Sequence, residues 1–279
     1  MASRTTDGAP IVPESGSRLS LVPIGKGGPG TPIECRRCVT LLGSRNGCKI
    51  VLKRKTVAAA HVAIVNTGAH IYAVDLVTKH GAQLNGLKME HEELNDGDML
   101  QIATWSFRVD IAQPMRSDEA DLHTFDLDPT PHIVALEHVE SGRILQSIRE
   151  VCVVGRRSGC DIVISDSQVS RTHCLLFDYL GHPAVYDLLS RNETWVNDNA
   201  VAYHELKDDD LLGIGDTKFR LRLVESKVGK VGSNGKSKET APVSLESRSI
   251  PPDEIDIEST EKSQRWRIVE NLEKATRKR

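Results

Sequence analysis

The chain has 279 residues, long enough for two domains of ordinary size, and its 36 Lys and Arg against 39 Asp and Glu leave a net charge of −3. That balance supplies no global cationic field for nucleic acid or an anionic membrane, and 4% aromatic residues leave little for a base-stacking platform. No uninterrupted apolar run approaches about 18 residues, so no membrane-spanning helix is expected, and residues 1–17 lack the apolar core of a signal peptide.

In chain order, residues 1–16 read as a disordered lead-in. A first unit, 17–112, opens with an apolar strand at 20–24 and continues as short runs of Val, Ile and Leu separated by Gly, Asn, Asp and Ser. Residues 113–131 are acidic and contain Pro114, Pro129 and Pro131, the composition of an inter-domain linker. A second unit, 132–226, repeats the pattern, with a turn signal at Glu140-Ser141-Gly142-Arg143. Beyond it, 227–279 turns to Gly, Ser and Lys and reads as disordered. Within that tail, 264–279 places Trp266, Val269, Leu272 and Ala275 at spacing three. It reads either as a short basic helix or as a fraying end, since isolated helices of this length are marginal.

The two units are copies of one another. Leu42-Gly43-Ser44-Arg45-Asn46-Gly47-Cys48 reappears as Val154-Gly155-Arg156-Arg157-Ser158-Gly159-Cys160, an offset of 155 − 43 = 112. The same offset pairs His61 with His173, Asp75 with Asp187, Asn85 with Asn197, Asp98 with Asp210 and Phe107 with Phe219. Helical periodicity is absent from both units. Many short strands with frequent turns imply two tandem antiparallel β-sandwiches, an all-β chain.

Four separated motifs in the second unit carry a resemblance. They are Gly155-Arg156 at a strand end, Val169-Ser170-Arg171-Thr172-His173 in a loop, Asp187 through Asn197, and the closing hairpin Leu206 through Asp216. Together they resemble the forkhead-associated (FHA) family over residues 132–226. The resemblance implies a phosphothreonine receptor. A phosphothreonine brings a charge of about −1.5 to −2 and three acceptor oxygens, so recognition calls for donors converging from several loops, with arginine among them. Arg156, Ser170 and Arg171 are those donors, with Arg191 beside the phosphate and Asn192 holding the peptide main chain. By the same resemblance His173, Thr194 and Asn197 support the loops, and Gly155 permits tight backbone entry. The family's usual Asn-Gly-Thr is Asn192-Glu193-Thr194 here, and Glu193 is expected to narrow the peptide groove.

The first copy keeps Gly43, His61, Asp75 and Asn85 but replaces the donors. At the 112 offset, Arg156 becomes Ser44, Ser170 becomes Ala58, Arg171 becomes Ala59, Asn192 becomes His80 and Thr194 becomes Ala82. Arg45 is a partial substitute beside the missing arginine, although the repeat pairs it with Arg157. The first unit is therefore expected to fold by itself, show no phosphopeptide preference, and act as a spacer or interaction module.

Catalysis is not expected. Ser170 and His173 lie three apart on a loop, without nucleophile-elbow glycines or an orienting acid. Cys35-Arg36-Arg37-Cys38 with Cys48 has the look of a zinc knuckle, but no second ligand pair follows and Cys48 recurs as Cys160, so neither metal nor cofactor is expected. Scattered cysteines suit a reducing compartment and a cytoplasmic location. The expected role is a non-enzymatic signalling adaptor. It would bind phosphothreonine-containing partners downstream of Ser/Thr kinases, with no membrane and no nucleic acid as partner. Two alternatives are a phosphorylation-independent scaffold and a DNA-associated regulator anchored by the basic C-terminal segment. Thr124, followed three residues later by Leu127, and Thr130, followed by Ile133, are candidate internal sites for closing the pocket.

Overall fold

The computed structural model describes residues 9–13, 16–25, 28–112, 132–147 and 149–225, and all the regular structure among them is β. Thr124, Thr130 and the basic 264–279 segment lie outside the described residues. Among the described residues no helix is long and apolar enough to cross a membrane.

Each copy is two sheets. In the first, one sheet runs Gly28–Pro29, Arg18–Gly25, Trp105–Ala112, Met99–Ile102, Ala82–Leu84, Leu87–Met89, with Ile33–Cys35 also paired to Arg18–Gly25. The other runs His91–Glu93, Ile71–Asp75, Val62–Asn66, Val39–Gly43, Ile50–Val51. The second copy repeats this. Its first sheet runs Ile144–Gln146, His132–His138, Thr217–Glu225, Leu211–Ile214, Thr194–Val196, Asn199–Val201, and its second runs Ile162–Val163, Val151–Gly155, Cys174–Tyr179, His182–Asp187, Tyr203–Glu205. The pairing is antiparallel except for one short parallel pair per copy, Leu42↔Ile50 with Gly43↔Val51 and Val154↔Ile162 with Gly155↔Val163. Those two registers differ by the same 112 residues as the sequences, so the repeat extends to the hydrogen-bond ladder.

Several central strands are buried on both faces. Val39–Gly43, Val62–Asn66 and Val151–Gly155 are buried at every position. Successive strand side chains point to opposite faces, so one set of residues fills each copy's own core and the alternate set must meet something else. Leu42, Val62, Ile64 and Ala73 pack inside the first sandwich, and Cys152, Val154, Cys174, Leu176 and Val185 inside the second. The alternate residues, Val39, Leu41, Ala63, Val65 and Val74 from the first copy and Val151, Val153, Leu175, Phe177 and Tyr186 from the second, form one shared cluster. The two copies therefore meet sheet to sheet and lie within one compact unit. The first unit, read from sequence as folding by itself, has one sheet face covered by the second copy.

The shared face is close to twofold symmetric. Arg45 Nη1 donates to Leu189 O at 2.5 Å, and Arg157 Nη1 donates to Val77 O. Arg45 and Arg157 are repeat mates, as are Val77 and Leu189, so each copy makes the same contact to the other, as in an isologous dimer interface. The Tyr72 hydroxyl also donates to Glu150 Oε2 at 2.5 Å, and Leu180 N–H donates to Thr67 O at 2.9 Å. A Cβ placed on Gly68 would lie 2.2 Å from Leu180 Cδ2, so a side chain here would have to displace Leu180.

Part of the lead-in read as disordered is placed. Ile11 bridges Arg37, Val12 N–H donates to Arg36 O at 2.8 Å, Cys38 N–H donates to Pro10 O at 3.0 Å, and Ala9 joins the shared core. Short apolar residues at 9–12 find a strand edge and a cluster to cover, which composition alone does not disclose.

Candidate functional site

The loops at one end of the second sandwich are built around Ser170. Its carbonyl accepts from Arg156 N–H at 2.9 Å, its N–H donates to His173 Nδ1 at 3.1 Å, and its Oγ accepts from Arg191 N–H at 3.0 Å. One residue thus ties the loops carrying Arg156, Arg171 and Arg191. Because Nδ1 of His173 accepts, its Nε2 carries the proton and donates to Glu193 O at 3.0 Å. His173 is fully buried, and burial holds its pKa below the usual imidazole value, so the neutral ring that this bonding needs is favoured. Both ring nitrogens are engaged by backbone, and neither meets the Ser170 hydroxyl.

Gly155 is required by contact. A Cβ there would lie 2.4 Å from Arg171 O, because strand Val151–Gly155 runs directly beneath the Ser170–Thr172 loop. Asp187 organises the next loop: Ser190 N–H and Oγ, and Thr194 Oγ1, all donate to its carboxylate at 2.9, 2.5 and 2.9 Å. Asn197 ties the closing hairpin, donating to Asp210 Oδ1 at 2.7 Å and accepting from Leu211 N–H at 3.0 Å. Asp166 braces the far side. Burial opposes its ionisation, but N–H donors from Gln168 and Asp216 and the Thr217 hydroxyl outweigh that and hold its pKa below the ordinary value.

Arg156, Ser170, Arg171 and Arg191 line one groove of about 410 Å³. The Arg156 Nε donates to Val169 O at 3.1 Å, which fixes the guanidinium plane. Its two terminal nitrogens, and the side chains of Arg171 and Arg191, have no hydrogen-bond or carboxylate partner among the described residues. Asn192 is not among the lining residues. Its amide nitrogen donates to Gln168 O at 2.8 Å and Gln168 Oε1 at 3.0 Å. Glu193 does not line the groove either. Its departure from the family pattern shows instead in the backbone, where it sits at φ 66°, a left-handed conformation that glycine accepts more readily.

The groove is not the second copy's alone. Its other wall comes from the first copy and includes Arg45, Lys55, Ala58, Ala59, Lys79 and His80. With Arg157 the wall residues include seven Arg and Lys, and no Asp or Glu lines it among the described residues. In a chain of net charge −3 that is a strong local excess of positive charge. Sequence reading passed over Lys55 and Lys79. The signal is present for one of them, since the 112 offset pairs Lys79 with Arg191, a cation kept in both copies.

The zinc reading of Cys35 and Cys38 meets a different arrangement. Cys35 packs in the first copy's own core and Cys38 in the shared core, and burial pushes their thiols up to about 11 and about 12. No cluster of three or more His, Cys, Asp or Glu with metal-binding geometry occurs among the described residues. Cys48 and Cys160 serve the fold, donating to Ala59 O and Arg171 O at 3.2 and 3.3 Å in matching positions.

The FHA domain family matches residues 40–103 and 152–215, two stretches again separated by 112. No curated protein matches the chain. Similar solved structures include Mycobacterium tuberculosis EmbR in complex with a low-affinity phosphopeptide, at 25% identity and a TM-score of 0.33, covering 36% of this chain and 26% of that one. An FHA domain of an Arabidopsis thaliana hypothetical protein aligns at 28% identity and TM-score 0.32 over 38% of this chain and 92% of that one. A structure described for phosphothreonine-dependent FHA domain interactions aligns at 28% identity and TM-score 0.31, covering 32% and 95%. This chain thus spans about a quarter of the EmbR chain and nearly all of the two shorter ones. With its two family matches in register with its internal repeat, the chain is a tandem FHA-domain protein.

Proposed function

We propose that this protein is a non-catalytic adaptor that captures phosphothreonine-containing partners through its second FHA domain. The observation that carries this reading is the convergence of Arg156, Ser170, Arg171 and Arg191 on one groove that no carboxylate lines among the described residues. The Arg156 guanidinium, held at Nε, presents its terminal nitrogens for charge-assisted bonds to phosphate oxygens. Ser170 accepts at Oγ from Arg191 N–H and retains its own hydroxyl proton as a donor. Arg171 and Arg191 complete the charge. Asn192 holds the peptide main chain once its amide exchanges Gln168 for the ligand. His173, Thr194, Asn197 and Gly155 hold the loops. The partners belong to Ser/Thr kinase pathways, and the setting is cytoplasmic.

The test is titration of the full chain with phosphothreonine, phosphoserine and unmodified versions of the same peptides. Arg156→Ala removes a charged hydrogen bond worth about 1.5–3 kcal/mol, a loss of about ten- to 150-fold in affinity. The threonine methyl adds about 0.8 kcal/mol over serine. Equal affinity for phosphorylated and plain peptides overturns the proposal.

A further inference from the structure

The first FHA domain has lost the arginine and serine that its repeat mate carries, yet its loops form half of the same groove. Lys79 occupies the repeat position of Arg191, and Lys55 that of Ser167, so the first copy keeps one cation and gains another where the second copy has a hydroxyl. Both lysines are exposed, both line the groove, and neither side chain has a carboxylate partner among the described residues. The pseudo-twofold contact, Arg45 to Leu189 O and Arg157 to Val77 O, sets the loop ends of the two copies side by side. A ligand leaving Arg156, Ser170 and Arg171 in this groove therefore passes a second cationic wall.

We infer that the groove between the two copies has a second anion subsite, formed by Lys55 and Lys79, and that it selects phosphothreonine peptides carrying a further anionic side chain. The inference rests on the reading of the second copy as the phosphothreonine receptor. The shared chemistry is a carboxylate or second phosphate on the same extended peptide. An extended chain advances about 3.3 Å per residue, so the second anion falls within a few residues of the phosphothreonine. A peptide is favoured over a nucleic acid because no Phe, Tyr or Trp is among the groove's lining residues, leaving no surface on which bases stack. The pairs formed are exposed, so the subsite sharpens selection among phosphopeptides and does not dominate affinity.

The experiment compares peptides on the full chain. One bears phosphothreonine with uncharged flanks; a second set adds one glutamate in turn at about four positions on either side; a third adds phosphoserine at the same places. An added anion at the favoured position should raise affinity about three- to tenfold, and the gain should fade with salt. In the double variant Lys55→Gln, Lys79→Gln the ratio between doubly and singly anionic peptides should fall to about one, while Lys55→Arg, Lys79→Arg should retain it. The glutamate and phosphoserine sets show which source the subsite prefers. If phosphothreonine binds but no added anion gives a gain that depends on these lysines, the inference fails and the receptor reading stands. If a single-stranded oligonucleotide outcompetes every peptide, the inference fails as well. If no phosphorylated peptide binds, both fall.

Discussion

His61 and His173 do the same work in the two copies. Each accepts at Nδ1 from the backbone N–H three residues before it, Ala58 in one and Ser170 in the other, at 2.9 and 3.1 Å. Each meets a backbone carbonyl at Nε2, Gly81 or Glu193, at 3.0 Å. Asn85 and Asn197 likewise make matching bonds to Asp98 and Met99 in one copy and Asp210 and Leu211 in the other. The groove side chains differ at the same time: Ala58 has no hydroxyl to accept from Lys79 N–H as Ser170 accepts from Arg191 N–H. Loop shape runs through backbone groups and a few buried braces, so it survives the loss of the ligand-facing side chains. The first copy therefore keeps the loop framework of the second while lacking the side chains that face the groove there.

The comparison can be broken most forcefully at the shared core. Phe177 is buried in the cluster joining the two sheets. Phe177→Ala should destabilise the chain by about 3–5 kcal/mol. Denaturant unfolding followed by probes in each copy should show both copies shifting together, and its smaller repeat mate Val65→Ala should cost less. Separate transitions, with only the second copy affected, would show that the copies are stabilised independently.

Next comes the tight glycine that both copies keep. A Cβ at Gly43 would lie 2.2 Å from Ala59 O, and one at Gly155 2.4 Å from Arg171 O. Gly43→Ala and Gly155→Ala should each cost about 1–3 kcal/mol, because the obstruction is backbone and cannot swing aside. Thermal unfolding should place the two losses close together. Peptide titration should separate them, since Gly155→Ala displaces the loop carrying Ser170 and Arg171, and Gly43→Ala displaces the one carrying Ala58 and Ala59.

The smallest expected effect is at a left-handed position that is glycine in the first copy and an L residue in the second. Gly81 sits at φ 71°, and its repeat mate Glu193 at φ 66°. Glu193→Gly relieves a conformation that L residues resist and should stabilise the chain by about 0.5–1 kcal/mol, offset in part by the entropy of the unfolded glycine. Gly81→Ala should destabilise by a similar amount. A shift of the unfolding midpoint in the opposite sense for either variant would show that side-chain contacts at these positions outweigh backbone strain.

Much of this molecule is written in local sequence. The 112-residue repeat, the turn residues and the short branched-aliphatic runs determine two all-β copies, because strand formation and turn chemistry depend on near neighbours. The positions of Gly155, His173 and Asn197 are legible because the repeat preserves the close approach and the bonds they make, whereas Arg156, Ser170 and Arg171, which the first copy lacks, stand out only through the family resemblance. Tertiary structure alone decided how the copies meet. Val151–Gly155 is apolar without a break and Val39–Gly43 is interrupted only by Thr40, which signals burial on both faces, but that pattern does not say what covers the second face. Only the packed sheets show each copy covering the other. Only that packing brings Lys55 and Lys79 to the groove of Arg156 and Arg171, across a separation in the chain that no local pattern spans.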